Sequence, residues 1–182
     1  MSKKTSSYAD STFVTLLHEQ IRHEFGAEHQ YLALAVWFNA NDLPRLAAHF
    51  YRQATEERDH ALMMVRYLLD RDVAVHIPGI ADVRTEFARP IELLQLALEQ
   101  EKTVTAQIEA LFKVAREQGD VIGEQFVLWF LKEQVEEISA MTTLVKVAER
   151  SGDQPMWIED FLARESVGDS GADPLAPPVA GA

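Results

Sequence analysis

The sequence predicts an all-α fold, a four-helix bundle with one long crossover connection and a short fifth helix. Helix breakers are sparse between residues 11 and 150, where proline occurs only at positions 44, 78 and 90 and glycine only at 26, 79, 119 and 123. Apolar residues recur there with the helical period of about 3.6 residues, which favours long amphipathic helices. The helices are predicted at 11–40, 44–71, 90–118 and 121–150.

Two short connections and one long one determine the predicted topology. After residue 40, Pro44 lies in the first turn of the second helix and Asp42 is its expected N-cap. The break at 119–120 is equally short, so the first helix is antiparallel to the second and the third to the fourth. Residues 72–89 lose the helical period and can reach up to ~60 Å when extended, whereas a 28-residue helix is ~42 Å long. This crossover therefore makes the second and third helices parallel.

The two ends of the chain are predicted to lie outside the bundle. Residues 1–10 form an N-terminal extension without an apolar run of signal-peptide length. Residues 155–164 form the short fifth helix, so the folded domain covers 11–165. Residues 166–182 are rich in proline, glycine and alanine, which indicates a flexible C-terminal tail. That tail is either passive or a docking peptide for a partner.

Composition excludes several classes of protein. The 182 residues, 47% of them apolar, suit one domain with a sizeable core. Cysteine is absent, which removes disulfides and thiolate metal sites. The net charge of −12 argues against nucleic acid or an anionic membrane as partner, and it suits either cation attraction or simple solubility. No stretch approaches the roughly 18–20 apolar residues of a membrane span, so we expect a soluble, cytoplasmic protein.

Each of the four long helices interrupts its apolar stripe with a carboxylate. In the second helix Glu57 occupies a core position, and His60 lies one turn further along the same side. The spacing of three residues directs both side chains at one point. The other stripes are interrupted in the same way, at Glu24, at Glu101 and at the pair Gln134 and Glu137.

These polar groups are predicted to share one layer of the bundle. At a rise of about 1.5 Å per residue, Glu24 lies ~24 Å before the first turn and Glu57 ~21 Å after it. Glu101 lies ~26 Å before the second turn, and Gln134 and Glu137 lie ~20–24 Å after it. All of them therefore fall within about one helical turn of the same depth.

A buried layer of carboxylates needs cations. An unpaired buried carboxylate costs several kcal/mol, and like charges add to that cost. One or two divalent ions would turn the repulsion into coordination. Oxygen-rich ligation with an imidazole suits iron or manganese, with zinc as a competitor. A single glutamate could instead snorkel or pair with a lysine, but four at one depth favour a metal centre.

At these residues the chain resembles the ferritin-like di-iron carboxylate proteins, in which two helices each supply a Glu and two each supply Glu-x-x-His. The resemblance covers essentially all of 11–165, through the motifs QIRHEF…Y, EERDH, LEQE and EQVEE, and is strongest to non-haem bacterial ferritins of actinobacterial type. It implies that two irons of a ferroxidase centre are bound by Glu24, Glu57, His60, Glu101 and Glu137. It places Gln134 beside them and makes Tyr31 a nearby redox-active, hydrogen-bonding tyrosine.

The resemblance also implies a third iron site and an assembly. The acidic cluster that bacterial ferritins use as a third site leading inward is matched by Glu56, Glu133, Glu136 and Glu137. A solvated acidic face explains Glu133 and Glu136 almost as well. Twenty-four subunits, built from dimers, would form a cage that stores a ferric oxyhydroxide mineral. The alternation at 73–77 in the crossover predicts an edge strand that pairs across the dimer twofold axis.

The sequence departs from the bacterioferritin pattern at two positions. Gln134-x-x-Glu137 stands where bacterioferritin has Glu-x-x-His, so the second iron site lacks an imidazole. Arg58 stands where the haem methionine would fall, so no haem is expected. The tail is longer than in a minimal ferritin, and because related tails can address a particle to an encapsulin shell, such a shell is a candidate partner.

Oxidation of Fe(II) followed by storage is the predicted function, and three alternatives stay open. Another di-iron bundle, such as a peroxidase or an oxygenase, would share the ligands, although a rubrerythrin would normally add a cysteine-ligated iron domain. A mini-ferritin that coats DNA would place its ligands between subunits and usually lacks the fifth helix. A metal-free structural bundle would bind only a partner.

Overall fold

The computed structural model describes residues 8–165, 167–168 and 173–181, and it confirms the all-α fold. The helices are α1 (Thr12–Ala40), α2 (Pro44–Asp70), α3 (Pro90–Gln118), α4 (Val121–Ser151) and α5 (Met156–Arg164), preceded by a 3-10 turn at Tyr8–Asp10. Within the described ranges no residue is in a β-strand, and no helix is both long and apolar enough to cross a bilayer. Each helix begins and ends within about one residue of its predicted position.

The four long helices form the predicted bundle. α1 packs mainly on α2, α3 packs mainly on α4, and α1 also contacts α3. Residues 71–89 cross from one end of the bundle to the other without helical structure. Because Phe50 near the start of α2 and Leu94 near the start of α3 lie in one apolar cluster, these two helices are parallel. The edge strand predicted within the crossover needs a second copy of the chain to pair with and stays a prediction.

Two apolar clusters divide the bundle core along its length. One contains Phe38 and Phe50, whose rings stack with centroids 5.4 Å apart. The other contains Phe13 and Ile21 near the start of α1 and Leu111 of α3. The carboxylates of the stripes lie between the clusters, so apolar packing on both sides holds the polar layer out of water.

Two helix ends show how the chain stops and turns. Gly119, with φ +70°, closes α3 in the left-handed region that favours glycine. The expectation that Asp42 caps α2 is wrong, because Asp42 itself turns the chain with φ +56° and the N-cap position falls on Leu43. Glu159 of α5 replaces that cap, since its carboxylate accepts the backbone N–H groups of Arg45 and Leu46 at 2.9 Å each. The fifth helix is thus fastened to the start of α2.

Removing this cap is expected to destabilise the subunit. Glu159 is buried, so Glu159→Ala leaves two N–H groups without an acceptor, and we expect a loss of about 1–2 kcal/mol in the free energy of unfolding. Asp160→Ala, at an exposed neighbouring position, is the matched control. Denaturant unfolding of both variants checks the prediction, and equal stabilities would contradict the capping role.

Candidate metal centre

Carboxylates from all four long helices are buried in the layer between the two apolar clusters. Glu24, Glu57, Glu101 and Glu137 are 0–3% exposed, and His60 is 7% exposed. Ligand atoms of Glu24, Glu57 and His60 all lie within 4.8 Å of one another, and His60 Nδ1 lies 3.7 Å from Glu57 Oε2. The structure therefore brings candidate ligands from α1 and α2 together, as the stripe positions predict.

Several oxygens in this layer have no hydrogen-bond partner. The Oε2 atoms of Glu24, Glu57 and Glu137 are buried and accept no hydrogen bond within the described residues. A buried acceptor without a donor costs about 1–3 kcal/mol, and more when it is charged. Unpaired carboxylate oxygens beside an imidazole nitrogen are the donor set that Fe²⁺, Mn²⁺ or Zn²⁺ takes in proteins. The residues present therefore fit a divalent metal ion.

Burial and mutual repulsion raise the pKa values of these carboxyl groups. Burial raises the pKa of Glu24 well above its ordinary value, and the neighbouring Glu57 charge adds to the shift. The pKa of Glu57 is raised well above its ordinary value by burial and then by Glu101. The pKa of Glu137 rises to about 8, mainly through burial. Without a cation the layer favours the protonated, neutral forms.

Two donors hold the carboxylate of Glu101. The Tyr31 hydroxyl donates to Oε1, and the Gln134 amide nitrogen donates to Oε2 at 3.3 Å. The Thr105 hydroxyl donates to Gln134 Oε1 at 2.7 Å, which orients the amide with its nitrogen towards Glu101. Burial, and next the Glu101 charge, raise the pKa of Tyr31 well above its ordinary value, so Tyr31 is a neutral donor. In this arrangement Gln134 positions Glu101, and its own oxygen is engaged by Thr105.

Sequence reasoning missed two buried glutamines that contact the layer. Gln20 donates to Glu24 Oε1 at 2.9 Å and to Gln107 Oε1 at 3.3 Å. Gln53 donates to Glu56 and, at 3.4 Å, to Glu137 Oε1. The spacing in the sequence could have predicted these positions, because each glutamine lies four residues before the stripe carboxylate of its helix and therefore on the same face.

The residues of the predicted third iron site do not all meet. Glu56, Glu133 and Glu137 line a cleft of about 780 Å³ that also reaches His60. Glu136 is exposed and lines a separate shallow groove. Glu133 and Glu137 are one helical turn apart on α4, whereas Glu136 is rotated away from that face. The structure thus joins three of the four residues at the mouth of the buried layer.

Part of the C-terminal tail lies against the bundle beside this cleft. Asp173 accepts hydrogen bonds from Trp129 Nε1 at 3.0 Å and from Lys132 Nζ at 3.3 Å. The Ala180 N–H donates to the backbone oxygen of Leu62 at 3.3 Å, and three apolar tail residues pack on the core cluster around Phe13. The expectation of a flexible tail did not include this docking at 173–181. Local composition could not predict this docking, because the two partners of Asp173 lie more than 40 residues earlier in the chain.

Asp173 is expected to anchor the docked segment. Asp173→Ala removes the acceptor shared by Trp129 and Lys132, and hydrogen bonds to an ionised carboxylate are stronger than those between neutral groups. We therefore expect amide hydrogen exchange across 173–181 to accelerate roughly tenfold or more. The exposed Asp82→Ala in the crossover is the control. Unchanged exchange in Asp173→Ala would show that the apolar packing and the Ala180–Leu62 backbone hydrogen bond hold the segment without Asp173.

Comparisons with known proteins show the family of this chain. A family model described as a ferritin-like domain matches residues 14–151. Ferritin BfrB of Mycolicibacterium smegmatis is 58% identical over 176 residues, which cover 97% of each chain. Ferritin BfrB of Mycobacterium tuberculosis is 56% identical over 153 residues, 84% of each chain. A bacterial non-heme ferritin of Staphylococcus aureus is 33% identical over 137 residues, 75% of this chain and 82% of that one.

Solved structures show the same fold. An open-pore ferritin from the archaeon Archaeoglobus fulgidus superimposes with a TM-score of 0.82 at 24% identity, covering 87% of this chain and 99% of that chain. At that identity the likeness shows the shared architecture. Together with the sequence relatives and the family model, it places this chain in the ferritin family, among the bacterial non-haem ferritins.

Proposed function

We propose that this ferritin oxidises Fe(II) at the buried layer between its four long helices and stores the Fe(III) product as a mineral inside a cage. The observation that carries the proposal is the convergence of Glu24, Glu57 and His60, with two of the three side chains presenting a carboxylate oxygen that no protein donor satisfies. Iron is the substrate here. It binds, loses an electron and leaves.

The charge of the layer suits two ferrous ions. Four buried carboxylates from four helices, when ionised, carry four negative charges, which two Fe(II) ions neutralise. Burial is the main cause of the raised pKa values of Glu57 and Glu137 in the metal-free protein, and binding of the ions removes the repulsion that adds to it. Two ions held in one layer can each give one electron to the same molecule of dioxygen or peroxide, so the oxidant is reduced by an electron pair.

Oxidation changes the charge balance of the layer and favours movement of the ferric ions out of it. Two Fe(III) ions carry two more positive charges than the four carboxylates neutralise. Glu56 and Glu133 supply further acidic groups at the adjoining cleft, and Glu137 belongs to both the layer and the cleft. The ferric ions are therefore drawn from the layer towards the cleft, which we take as the route to the mineral.

Tyr31 and Gln134 would keep Glu101 oriented during this cycle. Both donate to its carboxylate, one to each oxygen. Because outer partners of metal ligands fix ligand orientation, their loss typically costs about 10–100-fold in affinity or activity. We further propose that Tyr31, whose hydroxyl contacts Glu101, is redox-active.

The cage is part of the proposal. Twenty-four subunits built from dimers would enclose the mineral, with an edge at 73–77 pairing across the dimer axis. Capture by an encapsulin shell through the tail would require residues 173–181 to leave their place on the bundle, since Asp173 is held there by Trp129 and Lys132.

Aerobic addition of Fe(II) to the metal-free protein tests the proposal. We expect a rapid rise in ferric absorbance that saturates near two Fe(II) per subunit and that prior addition of Zn²⁺ blocks. Sedimentation should give a particle of twenty-four times the subunit mass of 20.5 kDa. Oxidation no faster than that of Fe(II) in buffer would overturn the ferroxidase assignment, and a small oligomer would overturn the cage.

A further inference from the structure

Gln53 joins the buried layer to the acidic cleft. It lies on α2 one turn before Glu57, and only 3% of it is exposed. Its amide nitrogen donates to Glu56, which lines the cleft, and at 3.4 Å to Glu137 Oε1, which belongs to the layer. A single neutral group thus contacts one carboxylate of the cleft, Glu56, and one that belongs to both the layer and the cleft, Glu137.

The amide group suits this place for electrostatic reasons. Its two N–H groups allow one hydrogen bond to each carboxylate, and the repulsion between the two acidic groups is thereby offset at the point where they approach. A lysine or arginine would offset it as well, but its positive charge would repel iron. An aspartate or glutamate would add a third negative charge and trap the ion. A neutral donor orders the carboxylates and neither repels the iron ion nor traps it.

The Gln53 side chain is held in this role by its surroundings. Its oxygen Oε1 is buried and accepts no hydrogen bond within the described residues. An amide that leaves its acceptor group unsatisfied in the interior carries a cost of about 1–3 kcal/mol. The contacts of its nitrogen with the two carboxylates offset that cost, so the orientation of the amide depends on Glu56 and Glu137.

We propose that Gln53 is a positioning residue that aligns Glu137 with Glu56, so that an oxidised iron ion passes directly from the di-iron layer to the cleft. The inference rests on the proposed function and adds the step that clears the layer for the next pair of ferrous ions. Gln53 acts through the two carboxylates and does not itself react.

Gln53→Met tests this role, because methionine has nearly the same length and donates no hydrogen bond. Two rates are measured by stopped-flow absorbance: oxidation of the first two Fe(II) per subunit, and recovery of that rapid phase in a second addition after a variable delay. We expect the first rate to fall by less than about threefold and recovery to slow by about tenfold or more, within the range seen for outer partners of metal ligands. Gln53→Leu gives a second measurement should the methionine variant not assemble.

Two comparisons separate a positioning role from a general structural one. Gln20→Met removes the equivalent buried donor on Glu24, away from the cleft, and should slow the first oxidation more than the recovery. Gln53→Met combined with Glu56→Gln should slow recovery no more than the stronger single variant, because residues that act through one another are not additive.

The inference is overturned if recovery is unchanged, if both rates fall equally, or if the effects of Gln53→Met and Glu56→Gln add. Failure of the proposed function would look different, since the parent protein itself would then show no rapid first phase.

Discussion

Glu57→Gln is expected to abolish rapid oxidation of Fe(II) and, at the same time, to stabilise the metal-free protein. Glutamine keeps the shape of the side chain but cannot take a negative charge, so it removes a metal ligand and one of the mutually repelling carboxylates. Loss of an outer partner costs up to about 100-fold, and loss of a ligand should exceed this. Because Glu57 must either bury a charge or take up a proton when the metal-free chain folds, whereas glutamine does neither, we expect about 1–3 kcal/mol of added stability at neutral pH.

His60→Ala provides the contrast. It also removes a ligand, so oxidation should fall as far, but it takes away a buried neighbour of Glu57 and leaves a cavity against Trp129 and Phe130. Stability should therefore drop instead of rising. Glu117→Gln, exposed near the end of α3, matches the charge change of Glu57→Gln and should alter neither property.

Stopped-flow absorbance and calorimetric unfolding of the metal-free proteins give the two measurements. An active Glu57→Gln variant would remove Glu57 from the metal centre. An inactive variant that is also less stable than the parent would show that the metal-free layer is not under electrostatic strain.

The metal-free protein is expected to lose stability as the pH rises from about 5 to about 8. Burial raises the pKa of Glu137 in the folded chain to about 8, from 4.5. Between these values the folded state holds a proton that the unfolded state has released. The free energy of unfolding therefore decreases with increasing pH. The Glu137 shift corresponds to an effect on the order of 5 kcal/mol, and Glu24 and Glu57 shift in the same direction.

Metal ions should reverse this dependence. A divalent cation binds the ionised carboxylates, so it displaces their protons and stabilises the folded state more at higher pH. Zn²⁺ is the appropriate probe because it is not oxidised. Thermal unfolding at pH 5.5 and pH 8, with and without Zn²⁺, should give opposite slopes.

Substitutions on one turn of α4 supply the control for the pH experiment. Glu137→Gln should reduce the slope of the pH dependence of the metal-free protein, since one of its buried titrating groups is gone. Glu136→Gln removes an equal charge from the exposed side of the same turn and should leave the slope intact. Metal-free stability that is constant or rises over this pH range would contradict the electrostatic account of the layer.

Much of this molecule follows from local sequence signals. Pro44 opens α2, and Pro90 opens and Gly119 closes α3, so these boundaries could be predicted closely. The depth of Glu24 and Glu57 also follows from chain arithmetic, because a helix advances a constant 1.5 Å per residue. Long amphipathic helices joined by short turns leave few alternatives for which carboxylates meet.

Other contacts could not be predicted, and each joins residues distant in the chain. The carboxylate that caps α2 comes from Glu159, more than a hundred residues later. Asp173 accepts hydrogen bonds from Trp129 and Lys132, although its segment has the composition of a flexible tail. Composition and periodicity carry no information about such pairs, because they depend on where separate elements come to rest.

By itself, the amino-acid sequence determined the helices of the bundle and the depth of the acidic groups along them. It also determined that a buried layer of such groups needs metal ions. Only the tertiary structure decided which groups meet across helices: Glu56, Glu133 and Glu137 line one cleft while Glu136 lies outside it, and Gln53 contacts two acids on different helices. The physical reason is that distance along a helix follows from counting residues, whereas its rotation about its axis is set by packing against every neighbour at once.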